Sequence, residues 1–328
     1  MKLFFAFFSL LFLLHGFFPL YSQVDSSIVP IEENIEKAPK EKPTYNRKKG
    51  TAYFYWGYNR SAFTNSNIRF KGSDYDFTIK NVKGSDAPTK EFGTYVNPSS
   101  FSVPQYDWRI GYFITDKYSV SFGHAHMKYE IEDQVVKMTG TISNGEFAGE
   151  YNDTPIRVGE EDNVSTNTQN GYPTGIVSKL EHCDGLNNFT FEFARRDNLW
   201  VSRNGKHCLS FELSVGVGAS VTDTESEVLG VSDPNHGDQS EANEHAHEGG
   251  ADEHGGSWNG FHLAGYTTSL STSIQLEFFN HFFIQTRLKG GYVNLTNFIT
   301  THDGGRGSQQ LGFVEGFIAV GYTFQLFK

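Results

Sequence analysis

The chain has 328 residues, of which 15% are aromatic and 20% charged, with 30 Phe, 16 Tyr and 34 Gly. Its formal net charge of −11 argues against nucleic acid as a partner, because nucleic-acid binding depends on a large basic surface. Beyond its first residues the sequence has no apolar run long enough for a transmembrane helix, so this chain could cross a bilayer only with strands.

The first residues are predicted to direct export. Residues 1–22, MKLFFAFFSLLFLLHGFFPLYS, contain one Lys, a Phe- and Leu-rich centre and a small residue at the end, which is the pattern of a secretory signal peptide. His15, Gly16 and Pro19 interrupt the apolar run, so its unbroken part is too short for a transmembrane anchor. Residues 23–50, rich in Glu, Lys and Pro, are predicted to form a flexible periplasmic leader.

From residue 51 onward, apolar residues alternate with small or polar ones, which predicts strands. Eight are expected, at 51–60, 105–114, 118–130, 187–198, 208–220, 262–277, 281–294 and 311–327. Tight turns alternate strictly with four long links, which are 61–103, 131–186, 221–261 and 295–310. Transmembrane barrels show this alternation, with short periplasmic turns and long external loops, and an even strand number leaves both termini in the periplasm.

We therefore predict that residues 51–328 form an all-β domain in the cell outer membrane, an antiparallel up-and-down transmembrane β-barrel of eight strands. Segments 75–82 and 134–142 are also strand-like and could form hairpins within the first two long links, so ten to twelve strands is the alternative. A soluble β-sandwich would have to explain the outward Phe and Tyr on strands from every part of the chain.

The last strand shows the two predicted surroundings most clearly. In residues 311–328, apolar side chains such as Ile318 and Val320 alternate with small or polar ones such as Glu315 and Ala319. The apolar face is predicted to contact lipid and the other face to line the lumen. Three aromatic residues depart from the alternation, namely Phe313, Phe317 and Phe327.

Alternation along the strands also places charged residues in the predicted lumen, namely Asp107, Arg109, Glu192, Glu212, Glu277, Arg287, Lys289 and Glu315. The interior of an eight-stranded barrel is just wide enough for its own side chains. Opposite charges should therefore pair and plug the lumen, because unpaired buried charge is costly. The alternative is a narrow channel or metal-uptake porin lined by Asp107, Arg109, Arg287 and Lys289, which a ten-stranded barrel would favour.

One long link has the composition of a metal-binding loop. It contains NHGDQSEANEHAHEGGADEHGG, in which four His lie among acidic residues and Gly, namely His236, His245, His247 and His254. Imidazole and carboxylate together can bind zinc, copper or nickel, so capture of a divalent metal is one interpretation. The other is a hydrophilic surface loop of biased composition.

A second His-Ala-His sequence, His124 to His126, lies on the predicted third strand. Both residues share the face of Val120 and Phe122, so we expect their rings to point toward lipid or headgroups and to play a structural role there.

His182 lies just before the predicted fourth strand, at its outer end. A His at the rim of a small barrel resembles the arrangement in outer-membrane lipid A deacylases, which combine a His with a nearby Ser and an acid. Asp184 stands where that family would have Ser, and Cys183 would face away from His182 in an extended strand. Acyl transfer therefore lacks an activated nucleophile, and we predict a protein that is not an enzyme, with a lipid A-modifying hydrolase as the remaining alternative.

Cys183 and Cys208 are the only cysteines in the chain. An exported pair favours a disulfide, but the predicted strands place the two residues near opposite ends of one hairpin, beyond disulfide reach. We therefore predict two free thiols.

Together, the signal peptide, YFYWGYNR at 53–60, the turn pattern and the aromatic C-terminal strand resemble small outer-membrane β-barrels of the Bacteroidetes type, with OmpA- or OmpX-like architecture. The resemblance covers residues 50–328. In such proteins a terminal aromatic residue is thought to be read by the barrel-assembly machinery, whereas here Phe327 is followed by Lys328. The resemblance implies contact with outer-membrane lipid and roles in envelope integrity, adhesion or ligand contact. It transfers no catalytic residue.

Overall fold

The computed structural model describes residues 49–100, 103–159, 168–232 and 261–326. The predicted signal peptide and nearly all of the predicted leader lie outside these ranges. No helix within them has the length and apolar composition needed to cross a bilayer. The described elements are one short helix, α1 (Phe92–Val96), a 3-10 turn (Pro98–Ser100), and strands β1 (Thr51–Phe63), β2 (Ser66–Lys71), β3 (Tyr75–Val82), β4 (Gly84–Asp86), β5 (Tyr106–Phe113), β6 (Tyr118–Ile131), β7 (Gln134–Ile142), β8 (Gly149–Val158), β9 (Thr168–Gln169), β10 (Tyr172–Pro173), β11 (Val177–Val201), β12 (Cys208–Val228), β13 (Val231–Ser232), β14 (His262–Phe278), β15 (Phe282–Ile299) and β16 (Arg306–Gln325).

Eight of the described strands close into an antiparallel barrel. Around the ring the order is β1, β5, β6, β11, β12, β14, β15 and β16. The ring closes because β16 pairs with β1 along the whole of β1, from Thr51 opposite Gln325 to Phe63 opposite Phe313. Each ring strand pairs with the ring strands that come before and after it in the chain order, so the topology of the ring is up-and-down. The all-β barrel class predicted from the sequence is confirmed, and each predicted strand corresponds to one strand of the ring.

Three tight turns lie at one end of the ring, here called the turn end. They join β5 to β6, β11 to β12, and β14 to β15. In the last of these, Phe279 and Asn280 have φ of 54° and 66°, and the amide of His281 donates to the carbonyl oxygen of Phe278. Two successive residues in the left-handed region give a turn whose twist matches that of the flanking strands. β1 begins and β16 ends at this same end of the ring.

At the opposite end, much of what was predicted as long loops is sheet. β11 begins at Val177 and β12 continues to Val228, well past the predicted strand limits. β2, β3, β7 and β8 pair with one another in that order, and β2 is joined to β16. β3 and β7 are the strand-like segments 75–82 and 134–142. They pair with each other beyond the ring instead of widening it, so the alternative of ten or more barrel strands is wrong for the ring described here.

Strands β2, β3, β7 and β8, together with the ends of the ring strands farthest from the turn end, enclose an apolar core. We call this part of the molecule the upper module. Its fully buried side chains include Ile68, Phe70, Phe77, Ile79, Met127, Met138, Ile156, Leu180, Leu295 and Phe298. Its outer surface carries ion pairs, such as Arg69 with Asp76 and Lys80 with Asp153. The upper module therefore has the polarity of a water-soluble β-structure.

The polarity is reversed in the part of the ring nearer the turn end. On β12, Val215 and Val217 point outward and are 58% and 59% exposed, whereas Glu212 and Ser214 point inward and are buried. Farther along the same strand, Val228 points into the apolar core of the upper module and is fully buried. One continuous strand thus passes from an apolar-out to an apolar-in environment.

The hairpin of β11 and β12 also separates the two cysteines. Cys208 pairs with Val201 at the turn end, where its thiol donates to the carbonyl oxygen of Leu209 at 3.7 Å. Cys183 lies between Glu181 and Gly185, whose partners are at the other end of β12. This separation is far beyond the reach of a disulfide.

Candidate functional site

The ring interior is the most highly charged buried region among the described residues. The eight charged residues predicted for the lumen all lie inside the ring, and none is more than 4% exposed. They come from β5, β11, β12, β14, β15 and β16, so they face one another across the lumen.

Glu192 occupies the centre of this network. Its Oε1 lies 2.8 Å from Nη2 of Arg109, and its Oε2 accepts a hydrogen bond from Nη2 of Arg287. The three residues come from β11, β5 and β15, so one carboxylate joins three parts of the wall. Arg287 also donates from Nη1 to the hydroxyl of Tyr55 at 2.6 Å, and Arg109 donates to Oγ1 of Thr190 at 2.7 Å. Charge-assisted bonds of this kind fix both guanidinium groups across the lumen.

A second group lies on the upper-module side of Glu192. Nζ of Lys289 lies 3.2 Å from Oδ2 of Asp107 and 2.8 Å from Oε1 of Glu315. Asn59 donates from Nδ2 to the other oxygen of Asp107 at 2.7 Å. One ammonium group thus bridges carboxylates from β5 and β16. These ion pairs form a second set of contacts inside the lumen.

A third group lies toward the turn end and includes a residue that the sequence reasoning did not single out. Arg196 donates from Nε to Oε2 of Glu212 at 2.8 Å, with Nη2 of the same guanidinium 2.6 Å away. The guanidinium also lies over the rings of Tyr53 and Phe113, 5.1 and 5.0 Å from their centroids. Alternation with Glu192 on the same strand was the signal that could have identified Arg196 as a lumen residue.

Aromatic side chains fill space between the charged groups. Tyr53, Tyr55, Phe113, Phe283 and Phe317 form a buried cluster inside the ring. Phe317 was an exception to the predicted alternation, and the structure supplies the reason. Its ring lies beneath Arg287 and Lys289, at 5.9 and 5.8 Å from the cationic atoms, so an aromatic side chain serves here as a partner for cations.

The His124 and His126 prediction needs correction. Both rings lie on the outer face of β6, as expected, but they are 6% and 7% exposed and so do not open onto lipid or headgroups. Nε2 of His124 and Nδ1 of His126 lie 2.7 and 2.8 Å from Oδ1 of Asn187, and the ring of Phe189 stacks on His124. Side chains from both neighbouring strands, including Tyr106 of β5, therefore cover the two rings, and one nitrogen of each ring bonds to Asn187.

His182 is fully buried in the upper module, between the rings of Tyr129 and Phe298. Its Nδ1 lies 2.8 Å from Oγ1 of Thr224, and its Nε2 lies 3.3 Å from Oε1 of Gln309. Burial lowers the pKa of this imidazole to about 4, although the bond to Gln309 acts in the opposite direction. The neutral ring thus joins β11, β12 and β16 within the core, where a lipid substrate has no access to it.

The predicted metal ligands His236, His245, His247 and His254 lie outside the described residues. Within the described ranges, no group of three or more His, Cys, Asp and Glu side chains is arranged to hold a metal ion.

Comparison with known proteins finds no matching family model and no matching curated protein. Among solved structures, the chain is similar to the outer-membrane protein OprG from Pseudomonas aeruginosa, with 11% identity and a TM-score of 0.33 over 87% of this chain and 100% of that chain. It is also similar to Ail, the attachment invasion locus protein of Yersinia pestis, with 12% identity and a TM-score of 0.25 over 84% and 99% of the two chains. Likeness at these TM-scores carries no functional conclusion.

Proposed function

We propose that the protein is a non-enzymatic outer-membrane β-barrel whose lumen is plugged and whose upper module contacts ligands or surfaces outside the cell. The observation that carries this proposal is the contact of Glu192 with Arg109 and Arg287, which joins three strands across the interior of the ring.

The outer wall of the ring supports the membrane location. Large apolar side chains point outward from successive strands and remain exposed, namely Ile110, Val120, Phe191, Phe193, Val215, Val217, Leu270, Phe282, Ile284 and Val320. A continuous apolar belt of this kind is unfavourable in water, and most of the large aliphatic side chains of these strands lie on the belt and not in the charged lumen. A bilayer covers such a belt and leaves the polar face inside, as in known transmembrane barrels.

The plugged lumen is supported by energetic reasoning. To pass the level of Glu192, an ion would have to displace guanidinium groups from a buried carboxylate. Removing one partner from a buried pair typically costs about 3–5 kcal/mol, because the other charge is left uncompensated. The aromatic cluster fills the space beside these pairs. A steady conducting path is therefore unfavourable, and the narrow channel is the less favoured function.

Planar-bilayer recording tests the plug. The full chain, refolded and inserted, should give no steady single-channel steps. A variant with Glu192→Ala and Arg287→Ala should show measurable conductance, because both substitutions shorten side chains that cross the lumen. Arg195→Ala is the matched control, since Arg195 lies on the same strand but points outward and pairs with Asp197. Regular single-channel steps from the unmodified protein would contradict the plugged lumen and favour the narrow channel.

A separate measurement tests the location. The chain should partition with the outer-membrane fraction of expressing cells and should migrate differently on gels before and after boiling, as folded barrels do. Recovery of the folded chain as a soluble protein in the absence of detergent would contradict the membrane location.

A further inference from the structure

A polar groove of about 600 Å³ lies on the outer wall where the ring meets the upper module. Its floor is formed by β2, β3, β15 and β16. Asn294 of β15 stands directly opposite Gln310 of β16, and Ser308 of β16 stands opposite Arg69 of β2. These strands pair with their neighbours along the floor, so the groove presents side chains and not an open strand edge.

The lining has a distinctive chemistry. Amide and hydroxyl side chains dominate it, including Asn65, Asn67, Asn81, Asn294, Gln310 and Thr78. Arg69 is the one charged residue among the described lining residues, and it makes two hydrogen bonds to Asp76 at 2.8 and 2.6 Å. The one apolar lining residue, Leu295, is itself fully buried. This lining lacks the imidazoles and carboxylates that most metal sites use, the unpaired cations for an anion and the apolar surface for a hydrocarbon.

Three of the asparagines are held in place by one another. Nδ2 of Asn65 donates to Oδ1 of Asn81 at 3.2 Å, and the backbone amide of Asn81 donates to Oδ1 of Asn67 at 2.9 Å. Asn81 adopts the left-handed conformation, with φ of 56°, at an irregular point in the pairing of β2 with β3. Each carboxamide carries two donor hydrogens and an acceptor oxygen in one plane, which suits neighbouring hydroxyl groups that both donate and accept.

The position of the groove indicates what could fill it. On β15 and β16 the outward side chains change from apolar to polar as the strands approach the upper module. Tyr292 and Val314 are exposed at the edge of the apolar belt, and Asn294 and Gln310 follow them in that direction. If the belt lies in the bilayer, as the proposed function holds, the groove opens at the height of the sugars of an outer-leaflet glycolipid.

We propose that this groove binds the hydroxyl groups of a saccharide chain, namely the chain that a glycolipid of the surrounding outer leaflet carries beyond its acylated anchor. A free saccharide in solution offers the same hydroxyls and is the alternative source. An extended peptide fits less well, because strand addition requires an open edge and the strands of the floor are paired.

The full chain is placed in phosphatidylcholine nanodiscs that contain either bacterial lipopolysaccharide or lipid A, its acylated disaccharide anchor, which lacks the saccharide chain attached beyond it. Native mass spectrometry then counts the glycolipids retained by each barrel. Lipopolysaccharide should be retained more strongly than lipid A, and Asn294→Ala with Gln310→Ala should reduce the excess by about fivefold for each amide lost. Ser308→Trp, which fills the groove, should reduce it as well. Asn152→Ala is the control, since Asn152 is exposed on β8 away from the groove.

A third arm distinguishes the sources. The saccharide chain cleaved from the same lipopolysaccharide is titrated by calorimetry in lipid-free detergent solution. Binding there that is lost in the groove variants supports a soluble saccharide as ligand. Retention from the nanodisc alone supports the glycolipid. Equal retention of lipopolysaccharide and lipid A, without binding of the free chain, overturns the proposal. A loss of retention in Asn152→Ala as large as that in the groove variants also overturns it. So does binding of an extended peptide in place of the saccharide chain. Failure to insert, seen as absence of the gel shift on boiling, counts against the membrane location, while the calorimetric arm still tests the groove.

Discussion

Acidification should destabilise the upper module through one buried side chain, His182. The imidazole is fully buried, and burial lowers its pKa from 6.5 to about 4. In the unfolded module the ring binds a proton below pH 6.5, whereas in the folded module it stays neutral until about pH 4. The unfolded state therefore takes up more protons across this interval, and stability falls as the pH falls from 6.5 toward 4.

The size of the effect follows from the pKa difference. One unit of pKa corresponds to about 1.4 kcal/mol, so the full difference is worth about 3 kcal/mol at or below pH 4. Below that pH the contribution is constant, because both states are then protonated. A loss of this size increases the open population of the module by about two orders of magnitude.

Hydrogen exchange detected by mass spectrometry can measure this opening in the full chain. Exchange rates, corrected for the intrinsic effect of pH, are followed in peptides that cover residues 177–186 and 221–228. His182→Gln should flatten their dependence on pH, because glutamine does not titrate and can still bond to Thr224 and Gln309. His302→Gln, at an exposed His, is the control and should leave the dependence unchanged. An equal slope in the unmodified protein and in His182→Gln would refute the reasoning.

Three further predictions concern the ring and the His-rich segment. Glu192→Ala should lower the free energy of unfolding by about 3–5 kcal/mol, because it leaves Arg109 and Arg287 without their shared carboxylate. Denaturant titration measures this, with Arg195→Ala as the control, and an equal loss of stability in both variants would contradict the prediction. Val217→Arg should cost about 2–4 kcal/mol if the residue lies near the bilayer midplane, and should cost little if water covers the belt. Calorimetry with zinc, copper and nickel decides between the two interpretations of the His-rich segment. Micromolar binding that is lost when His236, His245, His247 and His254 are all changed to Ala indicates metal capture, and absent or unchanged binding indicates a hydrophilic surface loop.

Alternation along the chain was sufficient to predict the ring. A period of two determines which side chains share a face, so the same pattern predicted the strands, the apolar outer wall and the buried positions of Glu192 and Lys289. Arg196 follows from the same rule. The strand limits were less predictable, because β11 and β12 continue into the upper module, where their buried residues are of mixed polarity, including Thr222, Thr224 and Ser226 beside Leu180 and Val228. A pattern of two faces does not reveal where the solvent outside changes from lipid to water.

Contacts between distant segments were beyond the reach of the pattern. The pairing of β3 with β7 joins residues about sixty positions apart, and nothing local to either segment specifies that partner. The cover over His124 and His126 comes from Asn187 and Phe189 on β11 and from Tyr106 on β5. Facing direction is a local property of a strand, whereas burial depends on what the adjacent strands supply.

The continuity of β12 through two environments limits how the exposed end of this protein can change. In a barrel with flexible loops, residues can be added or removed outside the membrane without moving the wall. Here a single residue inserted within the upper half of β12 would turn Val228 outward and bring Glu227 into an apolar core, unless a bulge absorbed it. Variation at this surface should therefore proceed by substitution along the strands, with changes in length confined to the turns that connect them.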